Sequence, residues 1–292
     1  DTHWKGAVMA YITCEDLALG YEGKAVTEHI HFTVNKGDYL CIIGENGAGK
    51  STTINAVLGL ISKDSGTITM LGKTDIDAVC KENIGVVFDG NNYPDMLTPK
   101  QLGKVFENIY SSWNKEKYEQ LLKKFNLPLN KKIKKFSKGM KMKYAISVAF
   151  SHNSKLLILD EATSGLDPIM RDEILDMFLD FIQDEENSIL VSSHITSDLE
   201  KVADYIVFIH NGKIVFSKPK DELLENYGII KCGASVFDEI DKDKIITYRK
   251  QDYEWQILVD DRKSAQKQYP KALIVPASID EIMLMYVRGE VE

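Results

Sequence analysis

Gly44-Glu45-Asn46-Gly47-Ala48-Gly49-Lys50-Ser51-Thr52 follows the apolar run Tyr39-Leu40-Cys41-Ile42-Ile43 and leads into Ser51 to Leu60, a segment with helical spacing. Strand, glycine-rich loop and helix in that order place the pattern G-x-x-x-x-G-K-[ST] where it carries a mechanism. The glycines let successive backbone N–H groups turn inward around phosphate oxygens, and the helix opening at Lys50 adds the positive end of its dipole. Lys50 is placed to reach the terminal phosphates of a nucleotide, and Ser51 to offer its hydroxyl to Mg²⁺. Chance produces this pattern in about one chain per hundred, so a glycine turn without a ligand is the poorer reading.

Downstream, the apolar run Leu156-Leu157-Ile158-Leu159 ends in Asp160-Glu161. A carboxylate emerging from a strand end can hold Mg²⁺, and one beside it is placed to orient and deprotonate a water attacking the γ-phosphate. The same dipeptide can merely cap a helix, but after a phosphate loop the catalytic reading is the stronger one. A third buried-type run, Ser188-Ile189-Leu190-Val191, and the intervening helices imply a largely parallel sheet. Thr98-Pro99-x-Gln101 combines an N-cap, an N1 proline and a capping box, and Asp167-Pro168 repeats the cap and proline. Amphipathic helices are expected near 99 to 126, and Ile206 to Phe216 reads as a hairpin turned at Asn211-Gly212.

The remaining composition narrows the class. The chain has 292 residues and a formal charge of −8, which argues against nucleic-acid binding through the overall field. No stretch approaches the apolar length a membrane-spanning helix needs. Cys14, Cys41, Cys80 and Cys232 show no paired or metal-ligand spacing, so free thiols in a reducing cytosol are expected. Residues 1–8 carry no signal-peptide pattern and are expected to be an artificial appendage before Met9. Residues 11 to 43 read as short β segments with turns at Gly20 to Lys24 and Asn35 to Asp38. Past Lys218-Pro219 short helices (221–227, 262–268, 278–287) alternate with strand-like runs (244–249, 255–259, 273–275), read as a small α+β accessory domain over 221–292. His29, His31, His152 and His210 read as structural or surface histidines. The basic stretch from Lys115 to Lys143, Lys131-Lys132-x-Lys134-Lys135 included, is more simply a solvated face than an anionic-surface contact.

Phe136-Ser137-Lys138-Gly139-Met140 is similar to the L-S-G-G-Q signature of ABC ATPases, and it lies between the two phosphate elements in that family's order. Leu159 to Pro168 matches the family's Walker B and D-loop residue for residue, with Asp167 closing it. His194 occupies the switch-histidine position, and Tyr21 matches the aromatic that stacks on adenine. The resemblance covers residues 11 to 220. It implies a P-loop NTPase cassette over 9–220, with an N-terminal antiparallel β subdomain and a helical signature subdomain at about 89–150. It also implies ATP and Mg²⁺ as ligands and a head-to-tail dimer in which Ser137 and Gly139 face the nucleotide of the partner. Two positions depart from the pattern: Asp89 stands where the family carries glutamine, and Lys138 where it carries glycine. Asp89 keeps the capacity to bind hydrated metal but adds negative charge and loses an amide donor. Lys138 puts a cation at a helix N-terminus, where the dipole disfavours it.

Within the family, residues 84–98, 139–143 and 278–290 look like bacterial exporter ATPases that partner a separate membrane subunit on the cytoplasmic face. Staphylococcal-type exporters of phenol-soluble modulins are the nearest in pattern. Residues 9–50 look more like importer ATPases, which raises a hybrid origin. An importer ATPase and a soluble iron–sulfur assembly ATPase are the alternatives of similar size.

Overall fold

The structure, a computed structural model, describes residues 9–21, 24–90, 92–251 and 253–290. In chain order the elements are β1 (Ala10–Tyr21), β2 (Lys24–Asn35), β3 (Tyr39–Ile43), α1 (Lys50–Val57), β4 (Ser65–Met70), α2 (Ala78–Glu82) and β5 (Ile84–Val87). There follow α3 (Pro99–Ile109), α4 (Lys115–Lys124), α5 (Lys138–Ala149), β6 (Leu156–Asp160), α6 (Pro168–Ile182), β7 (Ser188–Ser193) and α7 (Thr196–Val202). The chain continues with β8 (Tyr205–His210), β9 (Lys213–Pro219), α8 (Lys220–Asn226), β10 (Gly228–Cys232) and α9 (Ala234–Phe237). The last elements are β11 (Thr247–Gln251), β12 (Glu254–Val259), α10 (Arg262–Gln268), β13 (Leu273–Pro276) and α11 (Ile279–Arg288).

A six-stranded sheet of order β5-β6-β7-β3-β8-β9 forms the middle layer, parallel except for β9. Its strands β3, β6 and β7 are buried at every position because both faces are covered, as parallel sheets require. The alternation of side chains sorts them between two cores. Leu40, Ile42, Leu156, Ile158, Leu190, Val207 and Ile209 face a core shared with α1 and the antiparallel sheet β2-β1-β4. Tyr39, Cys41, Ile43, Leu157, Leu159, Ile189, Val191, Ile206 and Phe208 face the opposite core, which the helices close. A one-residue slip would exchange the two sets, so the register is fixed by both cores at once.

The caps at Thr98 and Asp167 and the hairpin turn at Asn211-Gly212 are where the sequence places them. Thr98 accepts from the Gln101 amide while Gln101 Oε1 accepts from Thr98 N–H at 3.0 Å. Asp167 accepts from Met170 N–H at 3.0 Å. The β8–β9 hairpin turns on Asn211 and Gly212, with φ of 48° and 74°, the two positive values a type I′ turn requires. The four cysteines are buried and free. Among the described residues no helix is long and apolar enough to cross a membrane.

A four-stranded antiparallel sheet, order β11-β12-β10-β13, carries the C-terminal region. Ile230, Ile257 and Val259 pack under α9 and α10, whereas Ile229 and Leu258 turn to the helix-covered core of the large sheet. α11 joins the same core through Ile279, Ile282 and Met285, and the Ile279 N–H donates to Glu200 of α7 at 3.3 Å.

His152 is structural. It stacks on Tyr110 at 4.2 Å, with Nδ1 3.2 Å from the Glu82 carbonyl oxygen, and burial pushes its pKa down to about 4 although the Glu82 carbonyl opposes the shift. Between about 6.5 and that value the unfolded chain takes up a proton that the folded chain refuses, so stability is full above about 6.5 and falls as pH drops, by at most about 3 kcal/mol. Denaturant melts at pH 7.5 and pH 5 are expected to show that loss, and His152→Gln to flatten it. A pH-independent difference between wild type and variant would contradict the assignment.

Candidate nucleotide site

The phosphate loop is held from two sides by close packing. A Cβ on Gly44 would stand 2.2 Å from the Ile209 carbonyl oxygen. Gly49 has φ of 108°, and a Cβ there would meet Thr27 Cγ2 at 2.3 Å. Both positions therefore need glycine on steric grounds, the second on conformational grounds too. Gly49 also serves as the N-cap of α1, so the loop passes directly into the helix.

Lys50 folds back over this loop. Its ammonium donates to the carbonyls of Gly44 at 2.7 Å and Glu45 at 3.1 Å, and Glu161 Oε1 lies 3.9 Å away. Burial lowers its pKa, and the charges of Glu161 and Asp160 oppose that shift. Ser51 Oγ donates to Asp160 Oδ1 at 3.0 Å, and Ser192 Oγ donates to the same oxygen at 2.5 Å. Parallel pairing of β6 and β7 sets Asp160 opposite Ser192, which explains how one hydroxyl reaches it. Ser192 is a residue the sequence reading missed; its only signal is its place at the end of the strand beside Asp160.

Glu161 leaves the strand with φ of 53°, and its N–H is held by the Ser192 carbonyl at 3.1 Å. That turn directs its carboxylate back toward the loop. Glu161 Oε2 lies 2.6 Å from His194 Nδ1, so the strand-end carboxylate and the histidine after β7 meet.

Lys50, Ser51, Glu161 and His194 line a cleft of about 490 Å³ with Asn46, Gly47, Gly49, Thr52, Asp89, Val26 and Ser164, and Asp160 is buried behind Ser51. The cleft fits Mg²⁺ held partly by substrate. Cis oxygen ligands of an octahedral ion at about 2.1 Å stand about 3 Å apart, as Ser51 Oγ and Asp160 Oδ1 do here. Among the described residues no three acidic, histidine or cysteine side chains cluster as a ready cage.

Ser137, Lys138, Gly139 and Asp167 do not line this cleft. Ser137 is exposed and caps α5, accepting from Met140 N–H at 3.2 Å. Asp89 lies on the cleft wall with its carboxylate on Lys138, 2.9 Å from the ammonium. Tyr21 ends β1, but its side chain lies outside the described residues, as do residues 1–8.

A loop of this construction beside a strand-end carboxylate pair defines a P-loop nucleoside triphosphatase. The ABC transporter family model matches residues 27–164. The bacitracin transport ATP-binding protein BcrA of Bacillus licheniformis is 33% identical, over 73% of this chain and 71% of that protein. The lantibiotic transport ATP-binding protein SrtF of Streptococcus pyogenes is 33% identical, over 71% of this chain and 90% of that protein. A solved structure of the ATP-binding subunit of an ABC transporter superposes with a TM-score of 0.67 at 30% identity, covering 73% of this chain and 91% of that one. The chain belongs to the family of ABC transporter ATP-binding proteins. It is an ATPase that uses ATP with Mg²⁺.

Proposed function

We propose that this chain powers export of a peptide, toxin or antimicrobial through a separate integral-membrane subunit, working as a homodimer at the cytoplasmic face of the membrane. The relatives named for bacitracin and lantibiotic transport, each matched over most of both chains, support the cargo class. An amphipathic peptide of the phenol-soluble modulin kind is the narrower form of the same reading.

The cleft geometry is the observation that carries the mechanism. Lys50 and the loop from Gly44 to Thr52 bind the phosphates, and Ser51 with Asp160 would hold the Mg²⁺. When bound, that ion would neutralise charge on the phosphates. Glu161 accepts the proton of the attacking water at its carboxylate, and His194 fixes the carboxylate's direction through the 2.6 Å contact. Tyr21 stacks on the base. Ser137 and Gly139, outside their own chain's cleft, and Asp167 serve the site across a head-to-tail dimer, with two ATP molecules between the subunits. Closure on ATP and reopening after hydrolysis then drive the membrane subunits between their two states.

Purification of the tagged chain from mild-detergent membranes is expected to bring down a multi-helix membrane subunit that raises its ATPase rate. Recovery of soluble assembly proteins alone would contradict the export reading.

A further inference from the structure

Lys138 and Asp89 are the two places where the sequence leaves the family pattern, and the fold brings them together. The Lys138 ammonium lies 2.9 Å from Asp89 Oδ1. The contact ties three segments. Lys138 opens α5, and Asp89 follows β5. Between them the lysine stem crosses Gly165, where an added Cβ would stand 3.3 Å from Lys138 Cδ and 3.5 Å from Cε. Gly165 has φ of 75° and carries no side chain to obstruct the crossing.

Asp89 also belongs to two hollows at once. One is the nucleotide cleft; the other is an adjoining groove of about 350 Å³ walled by Phe136, Lys138, Lys141 and Met142. The nucleotide cleft already has Glu161 on its wall and Asp160 behind Ser51 and has to admit a polyanion, so a further carboxylate on its wall opposes binding unless it is neutralised. Lys141 is drawn instead toward Asp95, at 3.8 Å. The side chains of Lys138 and Asp89 are 55% and 44% accessible, and an ion pair this exposed adds little to folding stability. Its consequence falls on the cleft.

We propose, building on the assignment of this cleft to Mg·ATP, that Lys138 is a positioning residue for nucleotide binding in its own chain. It neutralises Asp89 and holds the carboxylate on the groove side, away from the terminal phosphate. The two departures compensate each other: the lysine in the signature permits an acid where the family carries an amide.

The test uses the full chain with Lys138→Gln, Asp89→Asn, the double variant and Lys138→Arg, and reads equilibrium binding of Mg·ATP and Mg·ADP by calorimetry at low and high salt. Lys138→Gln is expected to weaken Mg·ATP about three- to tenfold, the size of one uncompensated charge acting across a partly solvated gap. Mg·ADP, with less charge, is expected to lose less, and salt to shrink both effects. The arginine variant keeps wild-type affinity, and the double variant returns to within about twofold of it, as charge bookkeeping requires. Melting temperatures are expected to stay level across the set, which separates this role from a structural one. A double variant as weak as Lys138→Gln, or equal losses for both nucleotides at every salt concentration, overturns the proposal alone. Failure of the wild type to bind either nucleotide overturns the cleft assignment and the proposal with it.

Discussion

Glu161→Gln is expected to cut steady-state phosphate release by about 10²- to 10⁴-fold, the usual worth of a positioned general base, while ATP binding is kept or tightened. The geometry explains why the two effects separate. The Glu161 backbone is fixed by the Ser192 carbonyl, and its side chain is 13% accessible, 2.6 Å from His194 Nδ1 and 3.9 Å from Lys50. Glutamine has the same shape and still offers an oxygen to His194, so the loop and the Ser51–Asp160 contact are left standing. What disappears is the only function an amide cannot supply, acceptance of a proton from water. Removal of one negative charge beside the phosphates favours the anion, so occupancy does not fall. A variant with wild-type turnover would remove Glu161 from the chemistry.

Lys50→Ala acts on the other half of the cycle. Truncating a hydrogen-bonded, desolvated charge costs about 2–5 kcal/mol, or roughly 30- to 5,000-fold in affinity. Lys50 meets that description: its ammonium is shared between the Gly44 and Glu45 carbonyls and its side chain is 6% accessible. Alanine strips those carbonyls of their donor and removes the ammonium beside Glu161. Lys50→Arg is not expected to rescue, because a planar guanidinium does not fit a site built for a compact ammonium. Calorimetric titration with Mg·ATP reads the loss. Affinity within threefold of wild type would show that the loop alone carries the phosphates.

Much of this site is legible in the sequence because its parts sit at the ends of apolar strands. Tyr39–Ile43 delivers the loop, Leu156–Asp160 delivers Glu161, and Ser188–Ser193 delivers His194. A parallel sheet gathers the ends of its strands on one edge, so three separated motifs become one cleft. Strand order is another matter: β3 lies between β7 and β8 through pairings more than 140 residues apart, which no local pattern encodes. The first two strands are longer than they read. β1 and β2 run 12 residues each, but Asp16 and His29 take φ of 47° and 55°, bulge the ladder and break the alternation by which a strand is recognised. β10 was not anticipated because its five residues, Gly228–Cys232, follow α8 with no turn signal between. The pairing of Asp89 with Lys138 is likewise tertiary; each residue is conspicuous in the sequence, and only the fold shows that they answer one another.

The chemical state of the trapped nucleotide tests the ATPase assignment most directly. Wild-type and Glu161→Gln protein would be mixed with γ-labelled Mg·ATP, filtered rapidly and stripped of bound nucleotide for identification. Wild type is expected to yield ADP, and the variant intact ATP at equal or greater occupancy. ADP appearing on the variant as fast as on wild type would contradict the account.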